Sequence, residues 1–305
     1  MSLTLFTAPK PFTNPHIALI QRNAIRSWQA LGKDVEVIWI GEEAGLAEAA
    51  AELGVRHIPQ VARNAQGTPL ISSIFALARE ASPARLQAYV NADILLFPDF
   101  VEAARRVAQI RQRFLIVGQR WDLDVREPLD FSAESVRCLK ARIAAEGRLH
   151  PPAGSDYFIY PRACFSDVPE LAVGRAGWDN WMIFYARWQG WEVVDASTAV
   201  TIVHQDHDYS HLPGGQPHYR LPETGENVRL AGGRRTIFHL EDATRRLTAD
   251  GQLAPLPHTW PRFKREMETF PLTHLRSRPL GELTFALFHP YKAYAEWRKA
   301  RGSFS

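Results

Sequence analysis

An α/β fold, with a mainly parallel sheet covered by helices on both faces, is what the first hundred residues predict. Short apolar runs alternate there with segments of helical period, and Asn-Pro, Pro and Gly punctuate the junctions. Hydrophobic residues make up 46% of the 305-residue chain and aromatic residues 11%, ample for a sizeable core. Strands separated by helices of this length form βαβ units and hence parallel pairs. In such sheets ligands bind beyond the carboxyl ends of the strands. The segments after Thr7, Gly41 and Val90 are therefore the first places to look for chemistry.

The elements follow in order. Residues 3–8 read as an apolar strand running into Pro9-Lys10-Pro11. Asn14-Pro15 supplies an N-cap and a first-turn proline, and Ile17, Ile20, Ala24, Trp28 and Leu31 recur at helical spacing until Gly32. Residues 35–40 form a second strand, 44–53 an Ala/Glu-rich helix, 55–61 a third strand, 70–81 a helix and 86–96 a fourth strand. Pro98-Asp99 opens the next helix, with Asp99 as cap and Glu102 three residues on, close to a capping box. The second half predicts strands at 114–117, 156–160, 191–194 and 199–203, and helices at 134–146 and 178–189. The helix at 178–189 is apolar on nearly all sides and is expected to be buried. The sequence divides into a main domain over 1–240 and a C-terminal extension over 241–305 with a basic amphipathic tail.

Composition and motifs exclude several classes. Two cysteines, Cys138 and Cys164, give neither a disulfide framework nor a zinc-finger spacing. The segment Met1–Thr7 carries no charged n-region or long apolar run, so no signal peptide is expected, and a cytoplasmic location follows as the expectation. Glycine-rich dinucleotide and P-loop signatures are missing, as is the Gly-x-Ser-x-Gly elbow of serine hydrolases. From Pro261 onward nine Lys/Arg face four Glu, a net of +5 on a chain whose formal charge is +3. On charge alone such a tail suits phospholipid, a lipid-linked diphosphate or nucleic acid, or is a solvated helix without a partner; the inner face of an anionic membrane is the expected partner. Nucleic acid is not expected.

Three segments carry candidate chemistry. Tyr89-Val-Asn-Ala-Asp-Ile places Asn91 and Asp93 two apart in an apolar strand, on one face by alternation. A buried amide and carboxylate need a partner, and a divalent cation carrying phosphate oxygens would serve. The alternative is that the strand ends at Val90 and Asn91 opens a turn. Asp179 stands at the start of the buried aromatic helix, where a carboxylate also complements the helix dipole. His204-Gln-Asp-His207-Asp-Tyr-Ser-His211 packs three His and two Asp into eight residues, without the spacing of helix-borne zinc motifs. A solvated polar loop is the other reading.

Asn91-Ala92-Asp93 at the end of the fourth strand resembles the Asp-x-Asp motif of GT-A glycosyltransferases, with Asn in the first position. The order of segments resembles that family too, and the likeness covers roughly residues 2–240. Thr7-Ala8-Pro9 is similar to its nucleotide-base loop, and Gly67-Thr68, opening the third helix, to its donor-pocket loop. The resemblance implies a GT-A, Rossmann-like mixed sheet and transfer of a sugar from a nucleoside diphosphate, UDP-sugar being favoured, to a glycan or lipid-linked acceptor. It further implies Mg²⁺ or Mn²⁺ on Asp93 and His204, with His207 the second choice, Asn91 on ribose or sugar, and Asp179 as the base of an inverting reaction. Trp121, Asp156 and Trp178 are the expected acceptor contacts, and Arg120 and Gly232-Gly-Arg-Arg235 lesser ones. A nucleotidyltransferase and a non-catalytic carbohydrate-binding protein are the alternatives on the same sheet.

Overall fold

The first strand, β1 (Leu3–Thr7), pairs in parallel with β2 (Val35–Ile40) on one side and with β4 (Leu86–Val90) on the other. β3 (Arg56–Ile58) continues outward from β2. The chain thus leaves β1 toward one edge and returns on its opposite side, so the strand order reverses between β1 and β4. A crevice forms at the carboxyl ends of two neighbouring strands whose connections leave in opposite directions. Beyond β4 lie antiparallel β9 (Tyr157–Pro161), then β6 (Phe114–Val117), β10 (Glu192–Asp195), β12 (Arg245–Leu247) and β13 (Leu253–Pro255). The sheet is mixed and mainly parallel, as the sequence predicts. This description comes from a computed structural model and covers residues 2–208 and 221–302.

Every residue of β1, β4 and β9 is buried, which is why these strands read as continuous apolar runs rather than alternating ones. Successive residues still point to opposite layers. Leu5 and Ala88 pack under α1 (Pro15–Gln29), α2 (Leu46–Leu53) and α4 (Pro98–Ile110). Phe6 and Tyr89 face α3 (Ile71–Ala81) and α6 (Trp178–Trp188) instead. Asn14 caps α1 as expected, its side-chain oxygen accepting from the His16 and Ile17 amides at 2.9 and 3.1 Å. The expected cap at Asp99 is not made. Phe97 occupies the N-cap of α4, and Asp99 accepts from the Thr201 amide at 3.2 Å. Glu102 pairs with Arg106 one turn on.

The expected single strand 86–96 is two strands. The Asn91 amide donates to the Asp156 carbonyl at 2.9 Å and the Ile94 amide to the Asn91 carbonyl at 3.1 Å, closing a turn at Asn91-Ala92-Asp93. The chain then enters a second sheet as β5 (Ile94–Leu96), beside β11 (Ile202–Gln205), β7 (Trp121–Leu123) and β8 (Arg148–Leu149). The alternation that put Asn91 and Asp93 on one strand face therefore does not apply. His204 lies within β11 rather than in the loop after it, because its neighbours pair with β5 and β7.

Trp28 of α1 pins this turn from below. It is fully buried and its Nε1 donates to the Ile94 carbonyl at 2.8 Å. Trp28→Ala is expected to cost about 3–5 kcal/mol, as other large-to-small aromatic substitutions in cores do. Urea unfolding followed by fluorescence or circular dichroism checks this.

Past residue 240, where the extension is expected to begin, two short strands follow. β12 and β13 join the central sheet because β12 pairs in parallel with β10. The helical extension begins with α8 (Trp260–Thr273), which packs on α6 and is followed by α9 (Arg278–Phe288) and α10 (Pro290–Gly302).

Candidate active site

The reversal point of the sheet brings Lys10 and Asp93 together. Lys10 lies on the loop after β1, where the buried Gln21 side chain holds its backbone at both ends. The Lys10 amide donates to Oε1 at 2.6 Å, and Gln21 Nε2 donates to the Lys10 carbonyl at 2.9 Å. Lys10 Nζ then reaches Asp93 Oδ2 at 2.6 Å and His207 Nε2 at 2.8 Å. His207 Nε2 is itself 3.2 Å from Asp93 Oδ2. Asp93 is 4% exposed, and its other oxygen, Oδ1, is buried with no hydrogen-bond partner among the described residues. Burial opposes ionisation of this carboxyl, but the Lys10 charge and the two histidines outweigh it and hold the pKa well below the usual carboxylate range.

His204 links this cluster to a second one. Its register opposite Asp122 in β7 follows from the parallel pairing of β11 with β7. His204 Nδ1 sits 3.2 Å from Asp122 Oδ1, and Asp122 Oδ2 is 2.9 Å from His150 Nδ1. Arg120 completes the network, donating from Nε to Asp122 at 2.8 Å and from Nη1 to both Asp156 oxygens at 2.8 Å. Asn91 Nδ2 donates to the same Asp156 carboxylate at 2.9 Å. Burial opposes ionisation of Asp122 as well, but hydrogen bonds from His204 and His150 and the Arg120 charge hold its carboxyl far below its ordinary pKa. Ligand atoms of Asp93, His204 and His207 lie within 4.8 Å of one another, and so do those of Asp122, His204 and Asp206. The second group is already neutralised by Arg120 and by Arg148, whose Nη2 donates to Asp206 at 2.6 Å. The first, with its unpartnered Asp93 oxygen, is the set suited to a cation.

Asp179 stands in the first turn of α6 and is partly exposed. Gly177 makes that turn possible. Its φ of +107° is a left-handed conformation that side chains resist, and its amide donates to Asp179 Oδ1 at 3.3 Å. Burial raises the Asp179 pKa. Backbone hydrogen bonds from Asn180 and Gly177 oppose the rise, and the nearby Asp156 charge adds to it. A carboxylate of raised pKa beside a polar cluster is a candidate for proton transfer.

The remaining expected residues are placed unevenly. Thr7 ends β1 and is fully buried, and Ala8 and Pro9 follow it, half-buried and buried, on the loop that carries Lys10. Gly67 and Thr68 lie on a loop tied elsewhere. Thr68 Oγ1 accepts from Arg175 at 3.3 Å, and Arg175 pairs with Glu223 at 2.7 Å ahead of α6. Trp121 is half-buried in β7. Trp178 is corrected: it packs edge-on against Tyr89 and against Phe158, with ring centroids 4.9 and 5.2 Å apart, so it supports the floor under Asp179 and has no free face for a sugar. Arg235 is also corrected, since it pairs with Glu282 at 3.0 Å and Glu296 at 2.6 Å and anchors the extension. His211 lies outside the described residues. Sequence reasoning missed Lys10, Asp122 and His150. Lys10 sits directly after the predicted nucleotide loop, and the signal that could have found it is a lone cation at the carboxyl end of β1. Asp122 and His150 carry no sequence signal, because only the pairing of β7 with β8 and β11 brings them in.

No protein-family model and no curated protein matches this chain. Among solved structures it is similar to glucosyl-3-phosphoglycerate synthase from Mycobacterium tuberculosis in complex with Mn²⁺, uridine diphosphate and phosphoglyceric acid. That likeness has 13% identity over 76% of this chain and 79% of that one, with a TM-score of 0.48. It is similar also to S. aureus TarS 1–349 in complex with UDP-GlcNAc, at 15% identity over 76% of this chain and 65% of that one, TM-score 0.48. A third is the mannosyltransferase PcManGT from Pyrobaculum calidifontis with GDP-Man and Mn²⁺, at 12% identity over 68% of this chain and 58% of that one, TM-score 0.44. The mixed, mainly parallel sheet, with its reversal between β1 and β4 and a small second sheet, agrees with the GT-A, Rossmann-like fold that the resemblance implies.

Proposed function

We propose that the chain transfers a sugar from a nucleoside-diphosphate sugar, with UDP-sugar the first donor to test, to a carbohydrate or lipid-linked acceptor with inversion. The observation that carries this reading is the convergence of Lys10, Asp93, His204 and His207 at the reversal point of the sheet. It is a compact set of cationic and metal-ligating groups where an anionic diphosphate binds in such folds.

The nucleotide enters over Thr7, Ala8 and Pro9, and Asn91 and Ala92 line the turn beneath its ribose and sugar. The donor set fits a hard divalent cation, because Asp93 offers a buried oxygen without a partner and two imidazoles stand beside it. When bound, a Mg²⁺ or Mn²⁺ held by Asp93, His204 and His207 would offset the charge on the departing diphosphate. Lys10, freed from Asp93 Oδ2, adds an ammonium donor for a phosphate oxygen. Asp179 accepts the proton of the acceptor hydroxyl as that oxygen attacks the anomeric carbon. Arg120 and Asn91 hold Asp156 in place to receive acceptor hydroxyls, with Trp121 at the rim.

The experiment separates the reaction classes by product. Incubation with UDP-, GDP-, CDP- or dTDP-sugars and candidate glycan acceptors is expected to release nucleoside diphosphate. Pyrophosphate formed from sugar phosphate and nucleoside triphosphate would instead establish a nucleotidyltransferase. Binding of glycans with neither product would leave a carbohydrate-binding protein.

A further inference from the structure

The C-terminal helices carry their apolar residues on the outside. In α8, Trp260, Phe263, Met267 and Phe270 recur at three- and four-residue spacing and are 74%, 56%, 46% and 41% exposed. The opposite face of that helix buries Glu268, Thr269, Leu272 and Thr273 against the protein. In α9, Leu280, Leu283 and Leu287 repeat the pattern, the last two 65% and 74% exposed. In α10, Tyr291, Tyr294 and Trp297 repeat it again. Single exposed apolar residues are ordinary, but helical stripes on three successive packed helices mark a surface that meets something apolar. Only Ile110 and Leu149 are large exposed apolar residues of the described chain outside this extension.

The charges on the same helices say what that something is. All four glutamates are turned toward cations. Glu266 pairs with Arg187 at 2.7 Å, Glu268 with Arg265 at 3.2 Å and His289 at 2.9 Å, Glu282 with Arg235, and Glu296 with Arg234 and Arg235. Arg278, Lys292 and Arg298 have no carboxylate partner among the described residues, and Lys264 and Arg276 meet only the faces of the Phe288 and Trp188 rings. The extension thus spends its acids on the protein and presents cations beside Trp, Tyr, Phe and Leu. A second copy would bring these unpaired cations against their like. An anionic bilayer complements both features, with the aromatic residues at headgroup level and the leucines below. No helix of the described residues is long and apolar enough to cross a membrane, so contact is with the surface.

We infer that α8–α10 form a docking face for anionic lipid, seating the protein on a bilayer through outward apolar stripes bordered by unpaired cations. This inference stands independently of the chemistry at Asp93 and Asp179.

Co-sedimentation of the full chain with vesicles tests it. Binding is expected to vesicles of phosphatidylcholine with about a third phosphatidylglycerol, to weaken as salt is raised, and to be absent on pure phosphatidylcholine. The pair Leu283→Glu and Leu287→Glu, and separately Phe263→Glu, should each reduce binding at least about tenfold. Lys292→Gln with Arg298→Gln should do so by about tenfold at low salt. These side chains are exposed, so unchanged thermal unfolding is expected in every variant. Equal binding to neutral and anionic vesicles, or no binding to either, overturns the inference. So does a wild-type dimer by light scattering that Leu283→Glu with Leu287→Glu converts to monomer, because the occupant is then a second copy.

Discussion

Asp179→Asn is expected to lower kcat by about 10²–10⁴-fold while leaving donor affinity within a factor of about two, the range set by loss of a positioned general base. The amide keeps the shape of the carboxylate and an oxygen to accept from the Gly177 amide, so the turn at the head of α6 survives. What it loses is the capacity to take a proton. The wild-type pH–rate profile carries a related mark. Burial raises the Asp179 pKa, with the neighbouring Asp156 charge adding to it. The acid limb of kcat should therefore lie above the ordinary aspartate value of about 3.9, and it should vanish in the variant.

The same shift has a consequence of opposite sign for stability. A carboxyl whose pKa is raised on folding disfavours the folded state wherever the carboxylate is ionised, and costs nothing below the unfolded pKa. Asp179→Asn should raise the melting temperature near neutral pH, and the gain should disappear as the pH falls below the ordinary aspartate range. Thermal unfolding at neutral and acid pH checks the sign. Loss of activity with gain of stability is the behaviour of a group placed for chemistry rather than for the fold.

Asp93→Ala is expected to act on both at once. Breaking a buried ion pair from one side costs about 3–5 kcal/mol. Lys10 is 27% exposed, whereas Asp93 is 6% exposed by side chain. The ammonium can therefore turn toward water, and the loss should fall near the lower end, about 3 kcal/mol. Lys10→Met leaves the more buried partner unpaired and is expected to cost more than Asp93→Ala. The wild-type contribution follows the usual carboxylate sign. The Asp93 pKa is depressed on folding, so its stabilisation is complete above the unfolded value of about 3.9 and is lost as the pH falls through the folded value. Denaturant unfolding of the three proteins at neutral pH gives the ranking.

The sequence made the central sheet legible because its signals were local. The buried strands are apolar runs, the helices carry period and punctuation, and Asn14-Pro15 caps as it reads. It also led to the carboxyl ends of β1 and β4, since the order of strands and helices implies where a crevice must open. The break at Asn91 was not legible as more than an alternative, because it depends on Asp156, 65 residues away, and on Trp28 beneath the turn. The role of Trp178 was misread for a related reason. An aromatic residue beside a candidate base looks the same in sequence whether its ring is free or packed against Tyr89 and Phe158. The partners of His204 came from strand register, which sets Asp122 opposite it. That β12 and β13 join the sheet beyond residue 240 was not legible, because three-residue strands are too short to carry a pattern.

Binding of a diphosphate at Asp93 together with a metal ion underlies the proposed chemistry. Calorimetric titration of UDP, with GDP, CDP and dTDP alongside, into the wild-type protein with and without Mn²⁺ measures this. The expected result is binding of one nucleoside diphosphate that Mn²⁺ strengthens at least about tenfold, with the Mn²⁺ effect absent in a folded Asp93→Ala variant. Equal affinity with and without Mn²⁺ would remove Asp93 and His204 as metal ligands. Binding of no nucleoside diphosphate by folded wild-type protein would contradict the transferase reading itself.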